Sequence, residues 1–333
     1  MLVFVIRRVL ISVPVLIAST IVTFLISKLA GDPLLYLKQR QPRPSQAFIN
    51  SEEHRLWLDR SWPEQYWHWI SNVVLHWNWG QPLQGQGNVS GELFRAFGVT
   101  ARLVIVSIFF ALILAVVTGV ISAVKQYSVT DYTTTFLGFL FLSMPTFWFG
   151  ILLKQAGIWV NNKTGSQFFG TIGERSLPIT DHSVWGTISD IAGHMILPTI
   201  VLGLVGYAAW SRFTRASMLE VLNSDYVRLA RSKGLRPQRV LVRHALRTAL
   251  IPLATVTALD VAFLLGGAIV TERVFQWRGM GTLFLNALNN QGRGGIDINV
   301  MLGWLLVSAV IVIAFNLVAD VLYGFLDPRI RHA

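Results

Sequence analysis

The stretch LVIVSIFFALILAVVTGVISAV, from Leu103 to Val124, decides the fold. It contains no charged side chain, and about 20 apolar residues are enough for a helix to cross roughly 30 Å of hydrocarbon. Five further stretches qualify or nearly qualify: roughly Val9 to Leu29, Phe136 to Val160, Met195 to Trp210, Leu250 to Val270 and Val300 to Leu326. The sequence therefore predicts an all-α polytopic membrane protein with six transmembrane helices.

The composition agrees with a membrane location. Of the 333 residues, 53% are hydrophobic and 14% charged, whereas a soluble domain carries about 25% charged residues. The absence of Cys excludes disulfide scaffolds, thiolate metal sites and cysteine nucleophiles. The seven histidines are scattered, with no metal-ligand spacing, so no metal or cofactor site is expected in this chain.

The basic residues predict the orientation. Nine Lys and Arg lie between Arg212 and Arg247, and the two chain ends are also basic, whereas the segment from Ala30 to Val99 balances six basic with six acidic residues. Because cytoplasmic loops carry the excess of Lys and Arg, both termini and the central basic loop are expected on the cytoplasmic side. Nucleic-acid or lipid head-group binding by that loop is the weaker interpretation, since no stacking aromatics are interleaved.

The segment after the first apolar stretch is too long for a plain connector and suggests a small extracytoplasmic cap, residues 31–98. Six of the twelve tryptophans lie in it. They indicate either a surface that receives a partner or guides a substrate, or an aromatic belt at the membrane interface. The sequence leaves these two interpretations open.

A short helix with specified ends is predicted in the central basic loop. Ser224 or Asp225 can begin it, Gly234 can take the left-handed conformation that ends it, and Pro237 prevents its continuation. Short isolated helices are marginal in water. We therefore expect this helix to dock onto another surface.

Several motifs resemble those of one family. Ala230-x-x-x-Gly234 fits the second half of the loop signature of permease subunits of ATP-binding-cassette importers, with Arg228 and Leu229 where that signature has Glu and its first Ala. Further stretches are similar to the oligopeptide/dipeptide branch of these permeases: Tyr207 to Pro252, Gly31-Asp32-Pro33, Ser143 to Trp148, and Asp327-Pro328-Arg329-Ile330-Arg331. The resemblance covers nearly the entire chain.

The resemblance implies a heteromeric importer of the type I fold in a prokaryotic inner or plasma membrane. Its expected partners are a second homologous permease, two ATPase subunits that bind ATP and Mg, an extracytoplasmic peptide-binding protein and membrane lipid, with no nucleic acid. This chain is then not an enzyme, which agrees with its lysines: none follows a Gly, so a Gly-Lys-Ser/Thr phosphate loop is absent. The implied function is to form half of a translocation pathway for di- or oligopeptides.

The expected organisation has four parts. Residues 1–30 form the cytoplasmic N-terminus and first helix, and residues 31–98 the cap. Residues 99–326 form the permease domain, with a cytoplasmic coupling loop at 212–247, and residues 327–333 form a cytoplasmic tail.

The resemblance also implies roles for particular residues. Tyr226 and Leu229 would be apolar contacts in a groove of the ATPase, and Ala230 and Gly234 would be small so that the helix can approach it. Independently of the resemblance, a charge within a membrane span is costly and usually faces the bundle interior or a water path, so Asp260 in span five is a candidate for the pore lining, where it would attract the amino end of a peptide. Alternatively, Asp260 forms a structural pair with Lys154 of span three.

Other functions stay open at this point. Permeases resembling this branch also carry nickel chelates, glutathione or opines. A secondary transporter driven by an ion gradient would be expected to show internal repeats, and no convincing repeat is found. An intramembrane enzyme is disfavoured because His-Glu-x-x-His and Gly-x-Ser-x-Gly are both absent.

Overall fold

The computed structural model describes residues 2–83, 87–177, 183–289 and 296–326, and these residues fold entirely into helices and connecting turns. The predicted tail 327–333 lies outside them. The helices are α1 Leu2–Ala30, α2 Leu35–Lys38, α3 Gln46–Arg55, α4 Trp62–His76, α5 Val89–Val124, α6 Val129–Ser143, α7 Thr146–Thr164, α8 Val184–Leu222, α9 Asp225–Ser232, α10 Pro237–Arg239, a π-helical turn Val240–Leu246, α11 Arg247–Gly267, α12 Ile269–Phe275, α13 Met280–Asn289 and α14 Ile298–Leu326.

The predicted all-helical membrane fold is confirmed. Five helical stretches in the described ranges are long and apolar enough to cross a membrane, or six if α6 and α7 together form one span. The five are Ile6–Leu29, Val89–Val124, Val184–Leu222, Pro237–Asp260 and Ile298–Val321.

The third predicted span, Phe136 to Val160, is not one continuous helix but falls on two helices, α6 and α7. The axes of α6 and α7 are bent by 106° at Met144 and Pro145. Proline has no backbone N–H to donate and disfavours the helical conformation in the residue before it. Met144 accordingly adopts an extended conformation, with φ −75° and ψ 129°, and α6 ends there.

The fourth predicted span was the shortest, yet it lies in the longest helix. α8 has 39 residues and continues well beyond the apolar stretch from Met195 to Trp210 on both sides. Pro198 lies inside α8 without ending it. Hydropathy detects only the apolar middle of such a helix. α8 contacts α6, α7 and α11, so it organises the packing around it.

Two glycines allow α5 and α8 to approach closely. A Cβ at Gly119 would lie 2.7 Å from Thr214 Cβ and 2.8 Å from the backbone oxygen of Ser211. A Cβ at Gly203 would lie 2.6 Å from the ring of Phe110. Small residues at such contacts are how membrane helices bring their backbones together.

The chain forms two compact units. One consists of Ile6–Val99 and Arg278–Ile313, and the other contains Thr100–Trp277. In the first, the segment after α1 has its own small core of Leu34, Leu37 and Ile49. The larger core of that unit includes Val73, Trp79, Val89, Leu93, Ala96, Met280, Val300, Met301 and Trp304.

Candidate functional site

The short helix predicted in the basic loop is present as α9. It begins at Asp225, directly after Ser224 in an extended conformation, and ends at Ser232. Ser224 occupies the position before the first helical residue, but its hydroxyl donates a hydrogen bond backward to the Val221 carbonyl at 2.6 Å. Gly234 follows with φ +74°, in the left-handed region that glycine adopts without strain.

α9 has two different faces. Val227 and Ala230 are buried, three residues apart and therefore on the same side of the helix. Tyr226 and Leu229 lie on the adjacent side of the helix, with 46% and 56% of their surface exposed. The buried side packs into a cluster that α5, α8, the π-helical turn and α11 also form: Ala123, Met218, Val240, Ala245 and Ala249.

The two small residues expected to face a partner have different environments. The Ala230 side chain is buried within the chain's own cluster, with 6% of its surface exposed. In contrast, a Cβ placed on Gly234 would meet no atom of the described residues within 4 Å. Within the described residues, the left-handed φ is therefore the constraint that favours glycine at position 234. A steric need for a small side chain there would come from a partner protein.

The π-helical turn is the part of the chain on which α9 rests. Its hydrogen bonds run from residue i to i+5, so residues five apart lie on the same side of it. Val240 and Ala245 have this spacing, and both are buried in the cluster against α9. Such turns are rare in proteins, and those that occur often lie at functional sites. The turn leads directly into α11, which connects α9 to a membrane-spanning segment.

The surface around α9 is strongly basic. Between Asp225 and Arg247 the sequence has seven basic residues and one acidic residue. Asp225 lies 3.7 Å from Arg228 and is itself exposed. The exposed basic residues are Arg228, Arg231, Lys233, Arg236, Arg239, Arg243 and Arg247. With Tyr226 and Leu229 among them, this surface suits a partner that presents apolar and acidic groups.

A buried ion pair that the sequence analysis did not identify lies in the same unit. Arg215 of α8 donates from Nε and Nη2 to the two carboxylate oxygens of Asp131, at 2.7 and 2.8 Å. Asp131 is buried, and it also accepts bonds from the Ser122 hydroxyl and the Tyr127 backbone N–H. An Asp at the start of an apolar helix was the available signal, but only the fold identifies its partner 84 residues away.

The two candidate intramembrane charges have separate partners in the described part of the chain. Asp260 of α11 accepts a hydrogen bond from the indole of Trp210 at 2.7 Å. Lys154 of α7 donates to the Val274 carbonyl at 2.9 Å. Both side chains are half-buried.

A second acidic residue that the sequence analysis did not single out is Glu272 of α12. Its side chain is fully buried and accepts a bond from the Thr100 hydroxyl at 2.5 Å. Among the described residues, no group of three or more His, Asp or Glu side chains could hold a metal ion.

The comparisons with known proteins identify the class of the chain. Its fold matches a chain of the inward-facing MetNI methionine ABC transporter, with a TM-score of 0.52 and 16% sequence identity, over 71% of this chain and 96% of that one. Residues 115–332 match the family of binding-protein-dependent transport system inner membrane components, and residues 1–95 match the N-terminal region of such membrane components. The chain belongs to this family of membrane permeases.

Three relatives are similar over nearly their whole length. The oligopeptide transport system permease protein OppB of Mycobacterium tuberculosis H37Rv is 39% identical over 98% of both chains. AppB of Bacillus subtilis 168, also an oligopeptide permease, is 37% identical over 99% of both chains. The dipeptide permease DppB of Escherichia coli K12 is 36% identical over 100% of this chain and 99% of the relative.

Proposed function

We propose that this chain forms half of the translocation pathway for di- or oligopeptides in an ATP-driven importer, and that α9 transmits the movement of separate ATPase subunits to it. The observation that carries the coupling role is the two-sided packing of α9. Its buried side packs through Val227 and Ala230 into the cluster shared with α8 and the π-helical turn, and its adjacent side presents Tyr226 and Leu229 outward. A short helix that links a membrane bundle to an exposed apolar surface is suited to transmit force.

The names of the relatives support peptides as the cargo. All three are named as oligopeptide or dipeptide permeases, at 36–39% identity and nearly full coverage. Selectivity for a given peptide length is then shared with a binding protein outside the membrane. Nickel chelates, glutathione and opines are the competitors to include in a transport assay.

The remaining parts of the proposal follow from family membership and from the charge distribution. The assembly would contain this chain, a second permease, two ATPase subunits that hold ATP and Mg, and an extracytoplasmic binding protein, in a prokaryotic inner or plasma membrane. α6 and α7 together would be the sixth span. The basic surface around α9 and both termini would be cytoplasmic, and residues 31–98 would form the external cap.

The packing suggests how movement would pass through α9. An ATPase that pushes on Tyr226 and Leu229 displaces the helix, and Val227 and Ala230 transmit that displacement to Met218 of α8. The π-helical turn receives it through Val240 and Ala245 and leads into α11. The two conformations of the pathway would then be biased by nucleotide in the ATPase and by loaded binding protein.

The test uses the assembled importer in proteoliposomes and measures peptide uptake and ATP hydrolysis together. Tyr226→Ala combined with Leu229→Ala removes the exposed apolar contacts without disturbing the buried side. We expect uptake to fall at least about tenfold, because central apolar contacts of an interface are typically worth about 2 kcal/mol or more. Gln238→Ala is the matched control, since Gln238 is exposed in the same loop but lies outside α9.

A second pair of variants separates backbone conformation from size at Gly234. Asn tolerates the left-handed conformation, whereas a β-branched Val does not. Since a Cβ at this position meets nothing within 4 Å in the described part of the chain, Gly234→Asn should fold normally. If the ATPase groove closes on Gly234, both variants should uncouple hydrolysis from uptake. Unchanged uptake in Gly234→Val and in the double alanine variant would refute the coupling role.

A further inference from the structure

A cavity of about 210 Å³ lies in the unit formed by Ile6–Val99 and Arg278–Ile313. The C-terminal end of α1, one side of α4, the segment after α4 and the first turn of α14 line it. Its wall combines aromatic rings with amide and cationic side chains, among them Phe24, Lys28, Trp69, Asn72, Trp79 and Asn299. The volume suits the charged end of a ligand better than a whole drug-sized molecule, for which pockets of about 300 Å³ or more are usual.

Lys28 is the cation of this cavity. Its side chain is half-buried, and its ammonium lies 5.2 Å from the centre of the Phe24 ring. The ammonium donates to Gln65 Oε1, and no carboxylate of the described residues lies within ion-pair distance of it. Because an ammonium has three N–H donors, Lys28 retains donor capacity for a further acceptor.

The wall of the cavity holds a second cation but no acid. Among the described residues that line it there is no Asp or Glu. Arg55 is the second cation there, but Glu52 holds it at 2.6 to 3.1 Å. Because the half-buried Lys28 ammonium has spare donors and no carboxylate partner among the described residues, an anion in the cavity would be stabilising.

The position along the spans identifies the environment. Phe24 and Lys28 lie in the last turns of the span Ile6–Leu29, and Ile298 and Leu302 in the first turns of the span Ile298–Val321. The cavity is thus at the end of the hydrocarbon layer, where lipid headgroups lie. α4 exposes Trp67 and Val74, seven residues apart on one face, with 70% and 67% of their surface accessible. Exposed Trp is enriched at this depth.

We propose that this cavity binds a phosphate group, with Lys28 as its counter-ion, and that the headgroup of an anionic phospholipid supplies that phosphate. The acyl chains would lie along the exposed apolar residues of α1, and Trp67 and Val74 of α4 would rest in the same headgroup layer. This inference does not depend on the identity of the transported cargo.

The test counts lipids on the assembled importer, purified in detergent, by native mass spectrometry during titration with phosphatidylglycerol. The wild-type importer is expected to retain a phosphatidylglycerol that Lys28→Gln binds about tenfold more weakly, as fits the loss of one charged hydrogen bond. Lys28→Arg keeps the charge and should restore binding. Arg43→Gln is the control, because Arg43 is exposed and lies outside the cavity.

Three results would overturn the proposal. Equal retention of phosphatidylglycerol by the wild-type importer and Lys28→Gln means that Lys28 binds no lipid phosphate. Equal retention of phosphatidylcholine and phosphatidylglycerol would show that the cavity does not select an anionic headgroup. A thermal shift with inorganic phosphate that phosphatidylglycerol does not produce assigns the phosphate to a free ion and refutes the lipid as its source. Since the comparison of phosphatidylglycerol with phosphatidylcholine uses the wild-type importer, it tests the site even if Lys28→Gln fails to assemble.

Discussion

Arg215 and Asp131 form a two-pronged ion pair in which Nε lies 2.7 Å from Oδ1 and Nη2 2.8 Å from Oδ2. Arg215 belongs to α8, and Asp131 to the first turn of α6. Arg215 Nε also lies 3.1 Å from the Ser122 hydroxyl, near the end of α5. The pair therefore fixes three helices at one point, close in sequence to Met218, which α9 packs against.

We expect Asp131→Ala to lower stability strongly. The substitution removes the carboxylate that accepts from the guanidinium, from the Ser122 hydroxyl and from the Tyr127 backbone N–H. Because 29% of the Arg215 side chain is exposed and its Nε keeps the Ser122 oxygen as an acceptor, we expect a loss of about 1–3 kcal/mol. The measurement is thermal or denaturant unfolding of the purified chain in detergent, followed by tryptophan fluorescence.

Removal of both charges is the control for that prediction. Asp131→Leu combined with Arg215→Met replaces the pair by apolar side chains, and such replacements are often close to neutral. The double variant should therefore be more stable than Asp131→Leu alone. If the double variant loses as much stability as the two single variants together, the interaction between the two charges contributes nothing to stability.

Gly119→Ala should destabilise the packing of α5 against α8. Its new Cβ would lie 2.8 Å from the Ser211 backbone oxygen, which cannot rotate away as a side-chain end could. Gly98→Ala is the matched control on the same helix, because a Cβ there meets none of the described residues within 4 Å. Ala favours a helix over Gly by up to about 1 kcal/mol, so Gly98→Ala should be neutral or stabilising. The melting temperatures of the two variants give the comparison, and equal melting temperatures would contradict it.

The apolar spans could be predicted from sequence because hydropathy and helix length are local properties. The bend at Pro145 also had a local signal, because proline can end a helix. Proline can, however, also be tolerated inside a membrane helix. Pro198 shows why that signal was insufficient: the same residue type lies within α8 without ending it. Whether a proline breaks a membrane helix depends on neighbours that satisfy the freed backbone groups, and sequence does not identify those neighbours.

The candidate coupling helix was predictable for the same reason, because both of its ends have local signals. Which residues of this helix are buried and which are exposed could not be predicted. Ala230 fits the loop signature of the family, yet its side chain is buried against the chain's own helices, and Tyr226 and Leu229 form the exposed side. The pairing of Asp131 with Arg215 was equally inaccessible, because it joins residues far apart in sequence.

Asp297 should make stability depend on pH. Burial raises the pKa of its carboxyl, although backbone N–H groups of Val300 and Leu83 partly oppose this by donating to it. A raised pKa means that the folded state binds the proton more tightly than the unfolded state. The contribution of this carboxyl to stability is thus fully present below its ordinary pKa of about 3.9 and is lost as pH rises through the raised value.

Asp297→Asn cannot ionise, and its side-chain oxygen can still accept a backbone bond. The melting temperature of the variant minus that of the wild type should therefore become more positive as pH rises from about 4 to about 8. Asp59→Asn is the control, because Asp59 is exposed and the hydrogen bond from His54 lowers its pKa. A difference for Asp297→Asn that stays constant with pH would contradict the prediction.

A charge swap between Asp260 and Lys154 should not restore transport. Asp260 accepts from the Trp210 indole, and Lys154 donates to the Val274 carbonyl, so the two side chains are held by different neighbours. After the swap, a carboxylate would face the Val274 carbonyl and an ammonium would face the Trp210 N–H, which pairs acceptor with acceptor and donor with donor. We expect Lys154→Asp, Asp260→Lys and the double variant all to lose peptide uptake in proteoliposomes. Uptake regained in the double variant alone would establish a structural pair, whereas normal uptake in Asp260→Asn would show that the pathway does not use this charge.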